Sequence, residues 1–460
     1  MTGKPCWYRD LGPLSCRIVN ALTLALILLA LSVLAFSFFR SEQFLVGVEA
    51  ISVFVVMPGA LVILLGSSFA FSPSLRLNVL LVLGSGLVTA WGIEALISAG
   101  IRLDRVATGR TQTVLDYVAT ERQSGENTFP VINAGDSLTN LNQSELVSRL
   151  QVDGSEILPL GSIGGVRQIY CLSEEGIVAY KTDRYGYRNP DSVWHASQAM
   201  VAVLGDSFVR GLCVDNGSTF SSLMRNTLGG EVINLGTNGT GPLFSLAALR
   251  EYGSRVRPKV VIWTHTLDND VPRDLEYERK SALLLRYMDL SFSQNLADRQ
   301  ELVNQLLRAD VLARMQKVIH PHFEPLPWSS HVMNWLRSVL ILKQLRSLAE
   351  ARYHDFLYRP DYDLFKNILE TAQSEVQSWG GHLYFIILPD QSYVSSGGVY
   401  DDSDIRGILI ELGIPQIDLH TPFSQRDSDE LFDPFTGHFS PEGHRVVSSS
   451  IMEVVLPSLK

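Results

Sequence analysis

Apolar residues dominate the first hundred positions of the chain, in three long runs. The first run has 22 residues without a charge, the second has 26, and the third is interrupted only by Glu94. Each run can cross about 30 Å of hydrocarbon as a helix that rises 1.5 Å per residue. A cleaved signal peptide is disfavoured because the first run is too long and no small-residue cleavage site follows it. We therefore predict a membrane anchor over residues 1–110, with three spans favoured over two. The predicted spans are residues 18–39, 47–71 and 77–99.

From residue 199 onward, short β-branched runs alternate with amphipathic stretches of helical length. The predicted strands are residues 199–204, 231–235, 260–264, 383–388 and 416–419. The predicted helices are residues 219–228, 243–255, 362–379, 403–412 and 441–456. This alternation indicates βαβ units, a parallel sheet and helices on both faces. Ligands of such sheets bind at the carboxyl ends of the strands.

Two segments lie outside this alternation. Residues 111–198 form a lead-in segment, which we expect to pack on the domain formed by residues 199–460. Residues 273–360 interrupt that domain, and their apolar positions recur at helical spacing around 302–315 and 332–342. We predict a helical insertion, which either caps the site or adds core and docking surface.

Charge is divided unevenly along the chain. Residues 1–110 hold eight basic and five acidic residues, which leaves 30 basic and 43 acidic residues in the remainder. An acidic soluble part argues against binding nucleic acid or lying flat on anionic lipid. With three spans, four basic residues flank the spans on each side of the membrane, so their total does not decide the orientation. The N-terminal tail carries Lys4, Arg9 and Arg17, which favours a cytoplasmic N-terminus. Three spans then place the C-terminal part outside, and two would reverse that.

Cysteine placement bears on the compartment. Cys6 and Cys16 precede the first apolar run, whereas Cys171 and Cys213 lie in the soluble part. In an oxidising compartment the second pair can form a disulfide, and the alternative is two buried thiols. We favour the disulfide because the three-span topology independently places this part outside.

Four short motifs carry the candidate chemistry. They are Gly205-Asp206-Ser207-Phe208, Gly239 at the end of the loop 234–239, the pair Asn269-Asp270, and His438 within 437–443. Intervals of 32 and 30 residues separate Ser207 from Gly239 and Gly239 from Asn269, each about one strand–helix–strand unit. Serine is a weak nucleophile at neutral pH, so it needs a base within hydrogen-bond reach and donors for the oxyanion. A serine, a glycine, an asparagine and a histidine in this order resemble the SGNH (GDSL-like) hydrolase family.

This resemblance implies a role for each motif. Ser207 would be the nucleophile and His438 the base, while Ser207, Gly239 and Asn269 would form the oxyanion hole. The family usually has an aspartate three residues before the histidine, but that position is Phe435 here. We predict that Asp433 completes the triad, with a backbone carbonyl or a carboxylate from elsewhere as alternatives.

Two residues compete with these assignments. Gly135-Asp136-Ser137-Leu138 spells the family's literal name, but no partner block follows it at a suitable spacing. His444, six residues after His438, lies within the predicted C-terminal helix. We therefore favour Ser207 over Ser137 and His438 over His444.

The resemblance covers roughly residues 181–460. It implies a three-layer α/β/α, flavodoxin-like fold of the SGNH hydrolase type, with a helical insertion and preceding transmembrane helices. The expected function is that of a membrane-anchored serine esterase acting on O-acyl or O-acetyl groups of an envelope polysaccharide, in a bacterial inner membrane and facing the periplasm. The alternatives are a glycan O-acetyltransferase that needs a separate acyl-donor partner, and a non-catalytic polysaccharide-binding or assembly subunit. No cofactor or metal is required by this chemistry.

Overall fold

The structure is a computed structural model of the 460-residue chain. It describes residues 13–39, 55, 57–70, 72–107, 113–142, 145–173, 176–196, 198–230, 232–267, 269–323, 360–395, 402–434 and 436–459. The chain divides into two compact units, one holding the N-terminal apolar helices and the other holding Thr111–Pro325 and Tyr358–Lys460.

Regular structure covers most of the described residues. The strands are β1 (Thr128–Pro130), β2 (Leu138–Asn142), β3 (Glu145–Ser148), β4 (Gln151–Val152), β5 (Ser155–Glu156), β6 (Arg167–Ser173), β7 (Gly176–Lys181), β8 (Val201–Leu204), β9 (Val232–Asn234), β10 (Val260–Thr266), β11 (His382–Leu388) and β12 (Gln416–Ile417). The α-helices are α1 (Pro13–Phe39), α2 (Met57–Ser67), α3 (Pro73–Ala107), α4 (Val114–Gln123), α5 (Ser207–Arg210), α6 (Phe220–Leu228), α7 (Pro242–Ala248), α8 (Ser254–Val256), α9 (Glu276–Glu278), α10 (Ala282–Leu285), α11 (Gln300–Phe323), α12 (Tyr362–Ser378), α13 (Gln391–Ser395), α14 (Ser403–Leu412), α15 (His420–Ser424), α16 (Ser428–Leu431) and α17 (Pro441–Leu459). Short 3₁₀ turns span Ser68–Ala70, Ala134–Ser137, Asp191–His195, Asn216–Ser218 and Arg286–Met288, and π-helical turns span Leu249–Gly253 and Asp270–Leu275.

Two N-terminal helices are long and apolar enough to cross a membrane. Within the described residues, the qualifying segments are Leu14–Phe36 in α1 and Pro73–Ile97 in α3, with 23 and 25 residues. Most of their leucine and valine side chains are exposed, as suits a surface that faces hydrocarbon rather than water. The predicted span 47–71 lies partly outside the described residues, and its described part is the shorter α2.

The central sheet is formed by five parallel strands among the residues described. Their order is β12, β11, β10, β8, β9, with parallel pairing throughout. Numbered along the domain, this is the order 2-1-3-4-5 of flavodoxin-like sheets. The chain reverses its direction of travel between β8 and β10, so a crevice at the carboxyl ends of these two strands is where a ligand site is expected. All five predicted strands and all five predicted helices of this domain are confirmed.

Helices cover both faces of the sheet and create two separate cores. Val261 and Trp263 of β10 belong to one core, whereas Val260 and Ile262 belong to the other. This division follows from the alternation of side chains along a strand. Helices α7, α12 and α14 close the first core, and α6 and α17 close the second. The predicted three-layer α/β/α arrangement is therefore confirmed for this domain.

The lead-in segment shares the first core with the sheet. Buried residues of this segment, including Phe129 and Leu158, belong to the same apolar cluster as Leu204 and Leu246. Its own sheet consists of β1, β6 and β7. Because the core is continuous, residues 111–198 pack on the domain rather than forming a separate compact unit.

The described part of the insertion is mostly helical, with turns and coil between residues 289 and 299. The spacing around 302–315 corresponds to α11, whose Val303, Leu307 and Val311 are buried in the first core. The buried ion pair between Arg250 and Glu375, at 2.6 Å, lies under the start of the insertion, since Arg250 also donates to carbonyl oxygens of residues 289 and 292. The second predicted stretch, 332–342, lies outside the described residues.

Candidate active site

Ser207 and His438 meet at the carboxyl end of the sheet. Ser207 begins α5 directly after β8, and its Oγ lies 2.7 Å from Nε2 of His438. The two residues are separated by 231 positions in the sequence, so only the tertiary structure brings them together. A distance of 2.7 Å is within the range over which a base can remove a hydroxyl proton.

A backbone carbonyl fixes the imidazole ring of His438. Its Nδ1 lies 2.8 Å from the carbonyl oxygen of Thr436, so Nδ1 carries the hydrogen and donates it. In the neutral ring Nε2 is then the acceptor, which is the tautomer needed to receive the proton of Ser207.

The carboxylate of Asp433 is bonded to Thr436, the residue whose carbonyl contacts the His438 ring. Its Oδ1 accepts hydrogen bonds from the backbone N–H of Thr436 at 2.8 Å and from the Thr436 hydroxyl at 3.0 Å. The carboxylate thus closes the turn 433–436 and supports the residue whose carbonyl receives Nδ1–H of His438. The contact of Nδ1 with the Thr436 carbonyl favours the backbone-carbonyl alternative, and a role of Asp433 in orienting the ring stays a prediction.

The loop that carries His438 is held by backbone hydrogen bonds and by an aromatic contact. Phe432 and Phe439 pair as an antiparallel bridge, and the N–H of Asp433 donates to the carbonyl oxygen of His438 at 2.8 Å. The ring of Phe208 stacks on the imidazole, with centroids 4.4 Å apart and planes inclined by 28°. These contacts hold the base against the start of α5.

The backbone before Ser207 requires a glycine. Gly205 has φ of +151°, and a Cβ there would lie 2.0 Å from Oγ1 of Thr264. That hydroxyl is itself held by a hydrogen bond to the carbonyl oxygen of Leu204. Asp206 then caps α5, since its Oδ1 accepts from the N–H of Phe208 at 2.9 Å. The sharp turn between β8 and α5 presents Ser207 at the sheet edge.

Gly239 lies at the exposed tip of a loop that is otherwise buried. The N–H of Thr237 donates to the carbonyl oxygen of Gly205 at 3.2 Å, and the hydroxyl of Thr240 donates to the carbonyl oxygen of Thr237. Gly239 has φ of +63°, and a Cβ there would meet no atom within 4 Å. The glycine is thus required by its left-handed backbone, and it faces open space beside the nucleophile loop.

Asn269 lies beside Asp206. It follows β10, and its side-chain amide is close enough to the Asp206 carboxyl, the neighbour of Ser207, to favour the charged form of that carboxyl. Burial and, second, the nearby Asp270 carboxyl raise the pKa of Asp206 to about 7, while the hydrogen bond from the N–H of Phe208 and then the His438 and Asn269 side chains act in the opposite direction. The amide of Asn269 carries two N–H donors.

Buried carboxyls lie behind Asn269. Asp270 accepts from the N–H of Thr266 at 3.0 Å, and burial raises its pKa to about 8. The Nδ1 of His265 is 3.2 Å from the Asp270 carboxyl, but burial lowers the pKa of His265 to about 3. Both groups are therefore neutral near pH 7, and the contact is not an ion pair. Asp270 thus has a structural role, closing the turn after β10.

The two competing residues lie elsewhere. Ser137 is buried in a 3₁₀ turn, and its carbonyl oxygen accepts from the N–H of Arg149. Nδ1 of His444 accepts from the N–H of Phe220 at 3.3 Å, and burial lowers the pKa of His444 to about 3. These interactions are structural, so the geometry favours Ser207 and His438. Gly135 nevertheless lies beside the loop that carries Gly239, because a Cβ there would be 3.7 Å from the carbonyl oxygen of Gly239.

A disulfide joins Cys171 to Cys213, with their Cα atoms 5.6 Å apart. Cys213 lies three residues after α5, so the bond ties the lead-in sheet to the segment that follows the nucleophile. Arg188 supports the same segment by donating to the carbonyl oxygens of Gly211 and Val214. Within the described ranges, no group of three or more His, Cys, Asp or Glu side chains is placed to hold a metal ion.

Sequence reasoning missed three contributors to the site. Thr436 supplies the carbonyl that accepts from Nδ1 of His438, Phe208 stacks on the His438 ring, and Asp206 lies between Ser207 in the sequence and Asn269 in space. A signal was present for the first, because Asp433 followed by a proline and then by a glycine four residues later is typical of a turn that a carboxylate closes. The role of Asp206 had no local signal, since its partner comes from another strand.

Comparison with known proteins gives only remote similarities. No protein-family model matches the chain, and no curated protein matches it. Matching solved structures include a lipase/acylhydrolase from Enterococcus faecalis, with 14% identity and a TM-score of 0.31, covering 57% of this chain and 98% of that one. They also include a mutant of Axe2, an acetyl-xylooligosaccharide esterase from Geobacillus, with 11% identity and a TM-score of 0.30, covering 56% and 94%. A third is a carbohydrate esterase family 2 enzyme from Corynascus, with 12% identity and a TM-score of 0.31, covering 57% and 67%. The case for an activity therefore rests on the side chains around Ser207.

Proposed function

We propose that this protein is a serine esterase of the SGNH type, which removes O-acyl groups through an acyl-enzyme. The observation that carries the proposal is the 2.7 Å contact between Ser207 Oγ and His438 Nε2, in a ring whose Nδ1–H is held by Thr436. This arrangement supplies a nucleophile, a base and a fixed tautomer.

The reaction follows in two steps. The Ser207 oxygen bonds to the acyl carbon while His438 takes its proton; the ester C–O bond then breaks, and the leaving alkoxide receives that proton. Water next attacks the acyl-enzyme, His438 again accepts and returns a proton, and the carboxylic acid leaves. The oxyanion of each tetrahedral intermediate would be held by the N–H groups of Ser207 and Gly239 and by an amide N–H of Asn269.

Ester hydrolysis by purified protein tests the proposal. We expect hydrolysis of 4-nitrophenyl acetate and labelling by a fluorophosphonate, with both lost in Ser207→Ala and His438→Ala. The matched control is Ser137→Ala, which removes a buried serine hydroxyl from the competing motif and keeps both signals. A folded wild-type protein that neither hydrolyses the ester nor reacts with the probe would contradict the proposal.

We further infer a membrane-anchored, outward-facing protein. Helices α1 and α3 support anchoring by length and composition, and the disulfide between Cys171 and Cys213 supports an oxidising compartment. Fractionation with a protease-accessibility assay tests this: the soluble part should remain with membranes and be cut only from the outside. Recovery in the soluble fraction, or protection from external protease, would contradict the inference.

The substrate we propose, which donates the acyl group to Ser207, is an O-acetylated carbohydrate of a bacterial envelope, as the family resemblance implies. Acetate release from acetylated glycans, compared with release from long-chain lipid esters, tests the choice of substrate. Faster hydrolysis of long-chain esters would favour a lipase instead.

A further inference from the structure

Strand β6 contains a β-bulge at Tyr170. Ile169 is paired with Ala179 and Cys171 with Val178, so two steps along β6 correspond to one step along β7. In a regular strand, consecutive side chains point to opposite faces, and a bulge redirects one of them. Tyr170 and Cys171 consequently contribute to the same small apolar cluster.

These two adjacent residues contact two different loops of the site. The hydroxyl of Tyr170 donates to Oδ1 of Asn238 at 2.5 Å, and Asn238 directly precedes Gly239. Cys171 bonds to Cys213 in the segment that follows α5. One short stretch of the lead-in sheet thus holds both the oxyanion loop and the segment behind the nucleophile.

Among the described residues, the other hydrogen bonds of the loop 234–240 lie mainly at its ends. Thr237 and Thr240 are buried and anchor the two ends of the loop, whereas Gly239 is exposed and its Cβ direction faces open space. Tyr170 is 7% exposed and approaches the tip through Asn238. Its rigid ring therefore fixes a loop residue that the sheet itself does not hold.

We propose that Tyr170 is a positioning residue for the oxyanion hole, which acts through Asn238 to direct the N–H of Gly239. The inference rests on the proposed esterase function. Without the hydroxyl, Asn238 loses its partner and the N–H of Gly239 samples other directions. Donors that stabilise the developing oxyanion act mainly in the transition state, so kcat falls while KM is kept.

Steady-state kinetics of the full-length protein test the proposal, with 4-nitrophenyl acetate as substrate. We expect Tyr170→Phe to lower kcat about tenfold, a fraction of the loss that follows removal of a whole oxyanion donor. The matched control is Tyr180→Phe, which removes a buried phenol hydroxyl of the same cluster that accepts from Arg210 rather than contacting the loop. We expect kcat of the control to stay within about twofold of wild type.

A double substitution and an exchange measurement separate positioning from general stability. Tyr170→Phe combined with Asn238→Ala should be no slower than Asn238→Ala alone, because the two residues act as one unit. Amide hydrogen exchange of a peptide covering residues 235–241 should rise in Tyr170→Phe and not in Tyr180→Phe.

Each contrary outcome points to a different failure. If wild type is active and both phenylalanine variants have the same kcat, Tyr170 has no positioning role while the esterase proposal stands. Unchanged hydrogen exchange at 235–241 in Tyr170→Phe would likewise overturn the positioning role. Absence of Ser207-dependent turnover in wild type would remove the esterase proposal and this inference together.

Discussion

Substituting Asp433 distinguishes two hypotheses for how the ring of His438 is oriented. In the structure its carboxylate accepts from the N–H and hydroxyl of Thr436, and the ring nitrogen Nδ1 donates to the Thr436 carbonyl. In a triad the carboxylate would instead bond Nδ1 directly. The substitution Asp433→Asn keeps an oxygen that can accept both bonds from Thr436 and removes the charge.

The two hypotheses predict very different losses of kcat for Asp433→Asn. Hydrogen bonds to charged groups contribute about 1.5–3 kcal/mol to stability, and those between neutral groups contribute about 0.5–1.5 kcal/mol. Asp433→Asn should therefore weaken each of the two bonds from Thr436 by on the order of 1 kcal/mol. Even if one such loss were transmitted entirely to the transition state, kcat would fall about tenfold, since about 1.4 kcal/mol is a factor of ten. Replacing a triad aspartate by asparagine costs about 10⁴ in kcat because it favours the wrong tautomer.

The assay is kcat for 4-nitrophenyl acetate across pH 6–9 at a temperature where all variants are folded. Asp427→Asn is the matched control, because Asp427 also closes a turn, accepting from the N–H of Asp429 at 3.2 Å, and lies in the neighbouring α16 cap. We expect both variants to stay within about tenfold of wild type. A selective loss of about 10³-fold or more in Asp433→Asn would refute the carbonyl-oriented dyad.

Three further predictions concern stability. Replacing Cys171 and Cys213 by serine should lower the free energy of unfolding by about 4 kcal/mol, because the bond closes a 42-residue separation; an unchanged urea midpoint would contradict this. Gly205→Ala should cost about 2 kcal/mol or more, because its Cβ would collide with the buried Thr264; wild-type stability in urea would show that the turn adapts. Burial raises the pKa of Asp274 from 3.8 to about 8, so the folded state retains a proton that the unfolded chain has lost, and stability falls as pH rises from about 4 to about 8. Asp274→Asn should flatten the dependence of Tm on pH in that window, and an unaltered slope would contradict the assignment.

Much of the fold was predictable because the relevant signals are local. Alternation of β-branched runs and amphipathic stretches predicted every strand of the central sheet to within about two residues at each end. The pairing of Cys171 with Cys213 was predicted from the expected oxidising compartment and from the presence of two cysteines in the soluble part of the chain.

Other features depend on residues that are distant in sequence. Asp433 was assigned to the ring of His438 by its spacing, but the turn directs its carboxylate to Thr436. The bulge that turns Tyr170 toward Asn238 exists only because β6 and β7 pair in a shifted register.

The sequence by itself determined the order of strands and helices and the four residue types that converge at the sheet edge. Only the tertiary structure decided which group accepts from Nδ1 of His438, which neighbour contacts Asn238 in the loop before Gly239, and which carboxyls near Asn269 are buried. The reason is physical: periodicity reports how each residue relates to its own helix or strand. Hydrogen-bond partners and desolvation depend instead on atoms that another part of the chain brings to within a few ångströms.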